Sequence, residues 1–435
     1  MNDESEIFFK GQNILKNSVY REDCKILFDS ENAMEYKLDE VGIKFYEYII
    51  SNISLDNVVL AICNYYNITD IEMLKNDVIE FLSKFIPKQN NKVEYTASGQ
   101  IEKNIEVDEI SFPFALELEL TKICNFRCPF CYNTWKYEKE KENNVSHLSK
   151  DAIFRLMNEC KDNNLLKIRY SGGEPTLYPG LDELLKYGKN LGFFQSIFTN
   201  AYMLTDEKIK LWQKNNVKEV LISLHGNEVT HEKITLVKGS YKKTLDNVKK
   251  LLLNKIKVIV EMTLVSYNLN EVEDVIETLY QIGVKEFRIM KYVPTGSNFD
   301  SELSITTDAL DEVIEQLENN RYSQKGLINI AFPCSQKFCT TNGNIDIDIY
   351  DKKKKFLLEN CMAGINWVAV DYQGFVKICP HSYKKYMNIN EKDFSILKVW
   401  KDMTKPKTQE ILDGRKEKCH KCIAWKSCYG GCLLK

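Results

Sequence analysis

Three cysteines, Cys124, Cys128 and Cys131, stand in a CxxxCxxC spacing within the stretch Thr121-Lys122-Ile123-Cys124-Asn125-Phe126-Arg127-Cys128-Pro129-Phe130-Cys131-Tyr132-Asn133. Thiolates set this closely suit a metal centre. Four-iron clusters and structural zinc ordinarily take four protein ligands, so a tight loop offering three leaves one iron of a cluster open to a ligand that is not protein. The other reading is a zinc knuckle whose fourth ligand lies elsewhere. An aromatic residue, Tyr132, follows the last cysteine directly.

The chain has 14 cysteines among 435 residues, and their distribution sorts them. Three form this loop and eight lie between Cys334 and Cys432, while Cys24, Cys63 and Cys160 fall in apolar patterns and read as buried structural residues. Met1 to Ile7 is acidic rather than basic and then apolar, and no run of about 18 apolar residues could span a bilayer. A cytoplasmic protein without membrane contact is expected, in which cysteines serve metal or redox chemistry rather than disulfides. A net charge of -3 gives no general attraction for nucleic acid. The length implies two or three domains.

The elements that must position the cysteine loop are legible as alternating strands and helices. Candidate strands are 114–120, 167–171, 195–199, 219–224, 257–264 and 286–290, separated by helical patterns near 150–163, 181–191, 206–215, 241–254 and 270–282. Six strand-helix units of this kind predict an α/β fold with a parallel sheet curled as a partial TIM-type (β/α)6 barrel, whose chemistry sits at the carboxyl ends of the strands. The cysteine loop directly follows the first strand.

Residues 22–88 read as a separate unit: strands at 25–29 and 34–37, then three helices from Asp39, through 55–66 and through 71–85. Val41, Phe45, Tyr48 and Ile49 share one predicted face, as do Met73, Val78, Ile79 and Leu82. A hairpin plus three helices describes a winged helix-turn-helix. Residues 1–90 carry 9 Lys and Arg against 16 Asp and Glu, a charge of -7 that repels phosphate and argues against DNA. Residues 89–109 are polar and read as a linker.

The cysteine loop resembles the signature of the radical S-adenosylmethionine (radical SAM) enzymes. That resemblance implies a 4Fe-4S cluster on Cys124, Cys128 and Cys131, with SAM chelating the open iron and yielding a 5'-deoxyadenosyl radical on one-electron cleavage. Gly172-Gly173-Glu174-Pro175, just past the second strand, is similar to the family's GGEP motif, which contacts the SAM amino group. Thr199-Asn200 and Ser223 resemble positions lining the ribose and carboxylate; Thr263 is an expected adenine neighbour and Tyr132 a further cofactor contact. His225 and His231 are expected to be local hydrogen-bonding groups rather than metal ligands. Arg288, before the Val293-Pro294-Thr295-Gly296 loop, is a candidate substrate or SAM contact.

The C-terminal cysteines Cys361, Cys379, and Cys419-x2-Cys422-x5-Cys428-x3-Cys432 resemble the SPASM extension of that family. Taken alone, the last block could also bind zinc. The resemblance implies two auxiliary 4Fe-4S clusters, three in all. Cys361, Cys379 and Cys432 would hold one and Cys419, Cys422 and Cys428 the other, with Cys334 and Cys339 completing them in either order. The segment from Tyr36 to Gly42 resembles the PqqD-like element that binds the leader of ribosomally made peptides by strand addition. The alternative for this unit is a structural or dimerisation domain.

The domain organisation expected is therefore 1–88 for leader recognition, 89–109 as linker, 110–310 as radical SAM barrel and 311–435 as cluster domain. The expected partners are a precursor peptide with a leader and a one-electron reductant such as flavodoxin or ferredoxin, and the expected product is an oxidative crosslink. A sulfatase-type Cys/Ser maturase and a non-catalytic iron-sulfur redox or binding protein are the alternatives. Replacing Cys124, Cys128 and Cys131 together by Ala should abolish SAM cleavage while leaving about eight irons per chain on the C-terminal cysteines. Iron analysis checks this: loss of all iron would contradict independent clusters.

Overall fold

The computed structural model describes residues 4–29, 34–52, 54–86, 109–133, 147–294, 300–333, 357–359 and 361–419. The chain divides into two compact units, Met1–Ser111 and Phe112–Lys435.

In the first unit, α1 (Glu4–Lys16) precedes an antiparallel sheet of β1 (Val19–Arg21), β2 (Ile26–Asp29) and β3 (Met34–Lys37), in the order β1-β2-β3. Then follow α2 (Glu40–Ser51), α3 (Leu55–Tyr66) and α4 (Ile71–Ser83). Each of these three helices starts at a side chain that accepts from its first turn: Asp39 from Gly42 N, Ser54 from Asn57 N and Asp70 from Met73 N. The core joins Phe8 and Leu15 of α1 to Leu27, Phe45, Ile49, Val58, Ile62, Val78 and Leu82.

The predicted helices are present, but two faces are corrected. Val41 and Met73 are half exposed, and the buried rows run through Gly42, Phe45 and Ile49 and through Leu74, Val78 and Leu82. An i, i+4, i+8 row packs along one side of a helix, whereas Met73 lies one residue off it. Neither α1 nor β1 was foreseen, because three residues of strand and a largely polar helix give little periodic signal.

The second unit is built on ten strands in the linear order β11-β10-β9-β8-β7-β6-β5-β4-β12-β13. The six expected strands are β4 (Ala115–Glu119), β5 (Lys167–Ser171), β6 (Phe194–Thr199), β7 (Val217–Ser223), β8 (Lys257–Leu264) and β9 (Glu286–Lys291), all parallel to their neighbours. Between them run α5 (Lys150–Asp162), α6 (Leu181–Leu191), α7 (Asp206–Lys214), α8 (Glu228–Thr235), α9 (Ser240–Leu253) and α10 (Val272–Gln281). β10 (Asn329–Pro333) and β11 (Leu357–Glu359) extend one end of the sheet. At the other end β12 (Trp367–Val370) pairs in parallel with β4, and β13 (Val376–Lys377) pairs antiparallel with β12. Residues on both sides of position 310 thus share one sheet.

Alternate residues of these strands point to opposite faces. Helix-side positions such as Leu116, Leu118, Val220 and Val260 are apolar. The other face is charged, with Glu117, Glu219 and Arg288 buried and Arg169, Lys257 and Glu261 half-buried: register places Glu117 opposite Arg169, Glu219 opposite Lys257 and Glu261 opposite Arg288. Lys257 Nζ lies 2.7 Å from Glu286 Oε1 and 3.5 Å from Glu219 Oε2. Charges are tolerated inside only when paired, so this layer is an interlocked lattice. Arg288, considered above as a ligand contact, belongs to it and acts electrostatically on Glu219, Lys257 and Glu286.

A longer-range tie comes from Glu159 on α5, which accepts from Ser395 Oγ at 2.5 Å, Ile396 N at 3.1 Å and Leu397 N at 3.2 Å. It caps a short helix, α11 (Thr307–Asn319) and α12 (Arg321–Gln324) preceding it in the chain, at α13 (Ile396–Val399). The last described helix is α14 (Lys405–Cys419).

Candidate active site

The cysteine loop leaves the carboxyl end of β4 and is laced to the turn after β5. Leu120 N donates to Ser171 O (2.9 Å), Gly173 N to Thr121 O (2.6 Å) and Glu174 N to Ile123 O (2.8 Å), while Asn133 Nδ2 donates to Gly172 O (2.8 Å). The two glycines are needed for this approach. A Cβ on Gly172, whose φ is +133°, would meet Thr121 O at 2.6 Å; one on Gly173 would meet Ile123 O at 2.3 Å. What the glycines admit here is the backbone of the cysteine loop itself.

A second tie comes from β6. Asn200 Nδ2 donates to Asn125 Oδ1 at 2.8 Å, reaching into the loop between Cys124 and Cys128. A third comes from α8, whose Thr235 O accepts from Arg127 N at 3.1 Å. The Arg127 guanidinium closes the turn on the carbonyls of Cys124 and Phe126. Thus held, all three cysteines face one apolar cluster made by Phe126, Ile234, Val265, Tyr292 and Leu303 with Phe130, Tyr202, Val237 and Tyr267 at its margin. Cys128 is buried; Cys124 and Cys131 are half-buried.

This donor set fits an iron-sulfur cluster. The cysteines share one low-dielectric surface, and Phe126 N donates to Cys124 Sγ at 3.4 Å, the type of bond that tunes a ligated thiolate. Among the described residues no three Cys, His, Asp or Glu side chains are gathered around a point as ligands of a single ion.

Glu174 is fully buried and both its oxygens are engaged. Oε1 accepts from Thr176 N (3.1 Å), Thr176 Oγ1 (2.6 Å) and Thr199 Oγ1 (2.6 Å), and Oε2 from Asn200 N (2.8 Å). Burial pushes its pKa up and these bonds pull the other way, leaving it raised. Each donor left without a partner would cost about 1–3 kcal/mol. Glu174 thereby sets Thr199 and Asn200, and Pro175 opens the short 3-10 turn Pro175–Leu177 behind it. Among the residues read as cofactor contacts, Gly172, Gly173, Glu174, Thr199 and Asn200 therefore form one connected network.

Ser223 ends β7 and Thr263 lies near the end of β8. Between them His225 Nδ1 accepts from Thr263 N (3.2 Å), and His231 Nδ1 accepts from His225 N (3.1 Å). With Nδ1 accepting in both rings, the proton of each neutral imidazole is on Nε2. Burial lowers the His225 pKa to about 3, with His231 adding to the effect, and lowers that of His231 to about 4. Their rings pack on the loop: Phe130 meets His225 edge-on at 4.8 Å and Phe126 meets His231 at 6.3 Å. This agrees with their expected hydrogen-bonding role.

Tyr132 lies elsewhere on the loop. Its hydroxyl donates to Glu119 Oε1 at 3.1 Å and its ring lies 4.3 Å from that of His381. Glu119 is pushed up to about 8 by burial, with the pull of Lys377 opposed by Glu117 and Asp371. Cys361 is half-buried, Cys379 buried and Cys419 half-buried at the end of α14; Cys334, Cys339, Cys422, Cys428 and Cys432 lie outside the described residues. Sequence reasoning missed Asn125, Asn133, Phe130 and Glu119. Only the two asparagines carried a signal, as turn residues inside a ligand loop.

Residues 118–279 match the Radical SAM superfamily and carry a radical SAM domain. The chain is 29% identical over 218 residues to the sporulation killing factor maturation protein SkfB of Bacillus subtilis (strain 168), a match covering 50% of this chain and about half, 52%, of that protein. It is 22% identical over 333 residues to the PqqA peptide cyclase of Bradyrhizobium diazoefficiens, covering 75% and 82% respectively. In fold it is similar to Streptococcus suis SuiB bound to precursor peptide SuiA, with a TM-score of 0.66 at 17% identity over 96% of this chain and 94% of that one.

Gly173→Ala should displace the loop, because the added methyl meets backbone that no rotamer change can move; SAM cleavage should drop about a hundredfold. Assay of 5'-deoxyadenosine in the reconstituted variant checks it, and near-normal turnover would refute it. The histidine pair makes stability fall in acid. Both imidazoles take protons near their ordinary 6.5 once unfolded but only near about 3 and about 4 in the fold, so their contribution is complete above pH 6.5 and is lost as pH falls through that window. Unfolding midpoints between pH 7 and pH 4 should decline less steeply in His231→Gln.

Proposed function

We propose that the chain is a radical SAM enzyme that installs an oxidative crosslink in a ribosomally synthesised precursor peptide held through its leader. The observation that carries this is the convergence of Cys124, Cys128 and Cys131 on one apolar cluster beside the Gly172-Gly173 turn. When bound there, a 4Fe-4S cluster with SAM supplies a 5'-deoxyadenosyl radical. Cys124, Cys128 and Cys131 would hold the cluster through three thiolates, so that one iron would remain for the SAM amino and carboxylate groups. Gly172, Gly173 and Pro175 hold the turn beside it, Glu174 orients Thr199 and Asn200, and Ser223 and Thr263 rim the strand ends where ribose and adenine are proposed to lie. The apolar cluster keeps water from the site.

The acidic first unit is proposed to take the leader. Among the described residues β3 ends the sheet in the order β1-β2-β3, and strand addition to this sheet is the proposed mode of binding. Fold likeness to a structure bound to a precursor peptide over 96% of this chain supports the same reading, as does the relative that is a peptide cyclase. A leader-binding unit also favours a precursor peptide over the substrate of a sulfatase-type maturase. Cys334, Cys339, Cys361, Cys379, Cys419, Cys422, Cys428 and Cys432 are proposed to hold two further 4Fe-4S clusters. Eight thiolates fill two such clusters, which favours accepting the electron left after bond formation over ligating substrate. A flavodoxin or ferredoxin is the proposed reductant and the cytoplasm the proposed compartment; among the described residues no helix is long and apolar enough to cross a membrane.

Anaerobic incubation with SAM, dithionite and a leader-bearing peptide should yield 5'-deoxyadenosine and a peptide lighter by two hydrogens. Absence of 5'-deoxyadenosine even with substrate sinks the enzyme reading. Deleting residues 1–88 should weaken peptide binding about tenfold or more, and unchanged affinity would remove the leader-recognition role.

A further inference from the structure

A second set of contacts joins the cysteine loop to the C-terminal segment. Tyr132 follows Cys131, and its hydroxyl donates to Glu119 Oε1 at 3.1 Å. On the other side of that carboxylate, Lys377 Nζ lies 3.7 Å from Oε2 and also donates to Pro380 O. Lys377 ends β13, two residues before Cys379. The ring of His381, two residues after Cys379, lies on that of Tyr132 with centroids 4.3 Å apart and planes inclined by 34°. Glu119 is completely buried and Lys377 nearly so. A buried carboxylate and a buried ammonium do not hold position independently; removal of either strands the other.

We propose that Glu119 is a positioning residue that couples the two cysteine-bearing segments. Its carboxylate grips the Tyr132 hydroxyl and the Lys377 ammonium at once, and so fixes the Tyr132–His381 stack between the Cys131 loop and the Cys379 loop. The proposal rests on the reading of Cys131 and Cys379 as cluster ligands. Its physical content is that the loop of the SAM-binding cluster cannot shift without shifting the segment of an auxiliary one. Tyr132 then serves this joint rather than the nucleoside.

Hydrogen exchange by mass spectrometry on the full-length, cluster-loaded protein tests the coupling. Glu119→Gln and Lys377→Met should each speed exchange at 124–133 and at 376–382 together, by roughly tenfold, the scale of a buried group left without its partner. The double variant, with no buried charge left unpaired, should return both segments towards the wild-type rate. Tyr132→Phe, which deletes one oxygen and keeps the stack, should alter the electron paramagnetic resonance spectrum of the reduced cluster on Cys124, Cys128 and Cys131. It also keeps the proposal testable if the charge variants fold poorly. Faster exchange confined to 376–382, absence of rescue in the double variant, or an unchanged spectrum in Tyr132→Phe would overturn it. If instead wild type binds no iron and cleaves no SAM, the radical SAM reading fails, whatever the exchange data show.

Discussion

A tight constraint on the candidate site lies between two pieces of backbone. The Gly172-Gly173 turn lies so near residues 121–123 that a single methyl on either glycine would overlap carbonyl groups of the cysteine loop. Hydrogen bonds from Gly173 N and Glu174 N to Thr121 O and Ile123 O depend on that approach. So does the bond from Asn133 to Gly172 O, which fixes the far end of the loop. Three cysteines in a short segment can be placed in many ways; clamping the segment at both ends to one turn leaves few. The apolar cluster then selects among these by burying Phe126 and Cys128.

Two buried glutamates show how one side chain can be used in different ways. Glu174 accepts four hydrogen bonds, all from the two turns it joins, and thus stiffens a local unit. Glu119 meets one hydroxyl and one ammonium, each from a different part of the chain. The first depends on neutral donors, whose strength changes little with pH. The second faces a cation that favours its charged form, but burial, with Glu117 and Asp371 nearby, outweighs that pull and raises its proton affinity to about 8. Glu119 belongs to the polar face of a sheet whose other face is apolar, and that separation is what permits so many charges inside, while Glu174 lies in the turn beyond β5.

Sequence pattern exposed most of the frame and some of the site. The six parallel strands were legible because short apolar runs alternated with helical periods, and the cysteine spacing and Gly-Gly-Glu-Pro were legible because their residue types have few other uses. The four strands β10–β13 were not, being two to five residues long, with pairing that depends on neighbours remote in sequence. Val41 and Met73 were misassigned because hydropathy does not tell which of two adjacent apolar residues faces the core. Glu119 was invisible as a site residue: in sequence it is one polar position in an alternating strand. Only when Tyr132, Lys377 and His381 come to it through space does it acquire a role. Residue types alone did not show that the two glycines also admit the backbone of the cysteine loop.

The position of Cys379 relative to the cysteine loop follows from strand register more than from side chains. β12 joins the sheet beside β4 with Val370 opposite Leu118 and Ala369 opposite Glu117, and β13 returns with Lys377 opposite Ala369. Those pairings put Lys377 on the same face as Glu117 and, one pleat along, Glu119. A slip of one residue in either pairing would turn Lys377 to the apolar face, where an ammonium has no partner and its burial costs several kcal/mol. The Glu119–Lys377 pair therefore penalises the wrong register as well as bridging two segments. With the register set, backbone ladders carry the spacing between the two cysteine-bearing segments across three strands, and a ladder stretches far less than a chain of side-chain contacts. The sheet is in this way also the ruler that sets one cysteine-bearing segment against another.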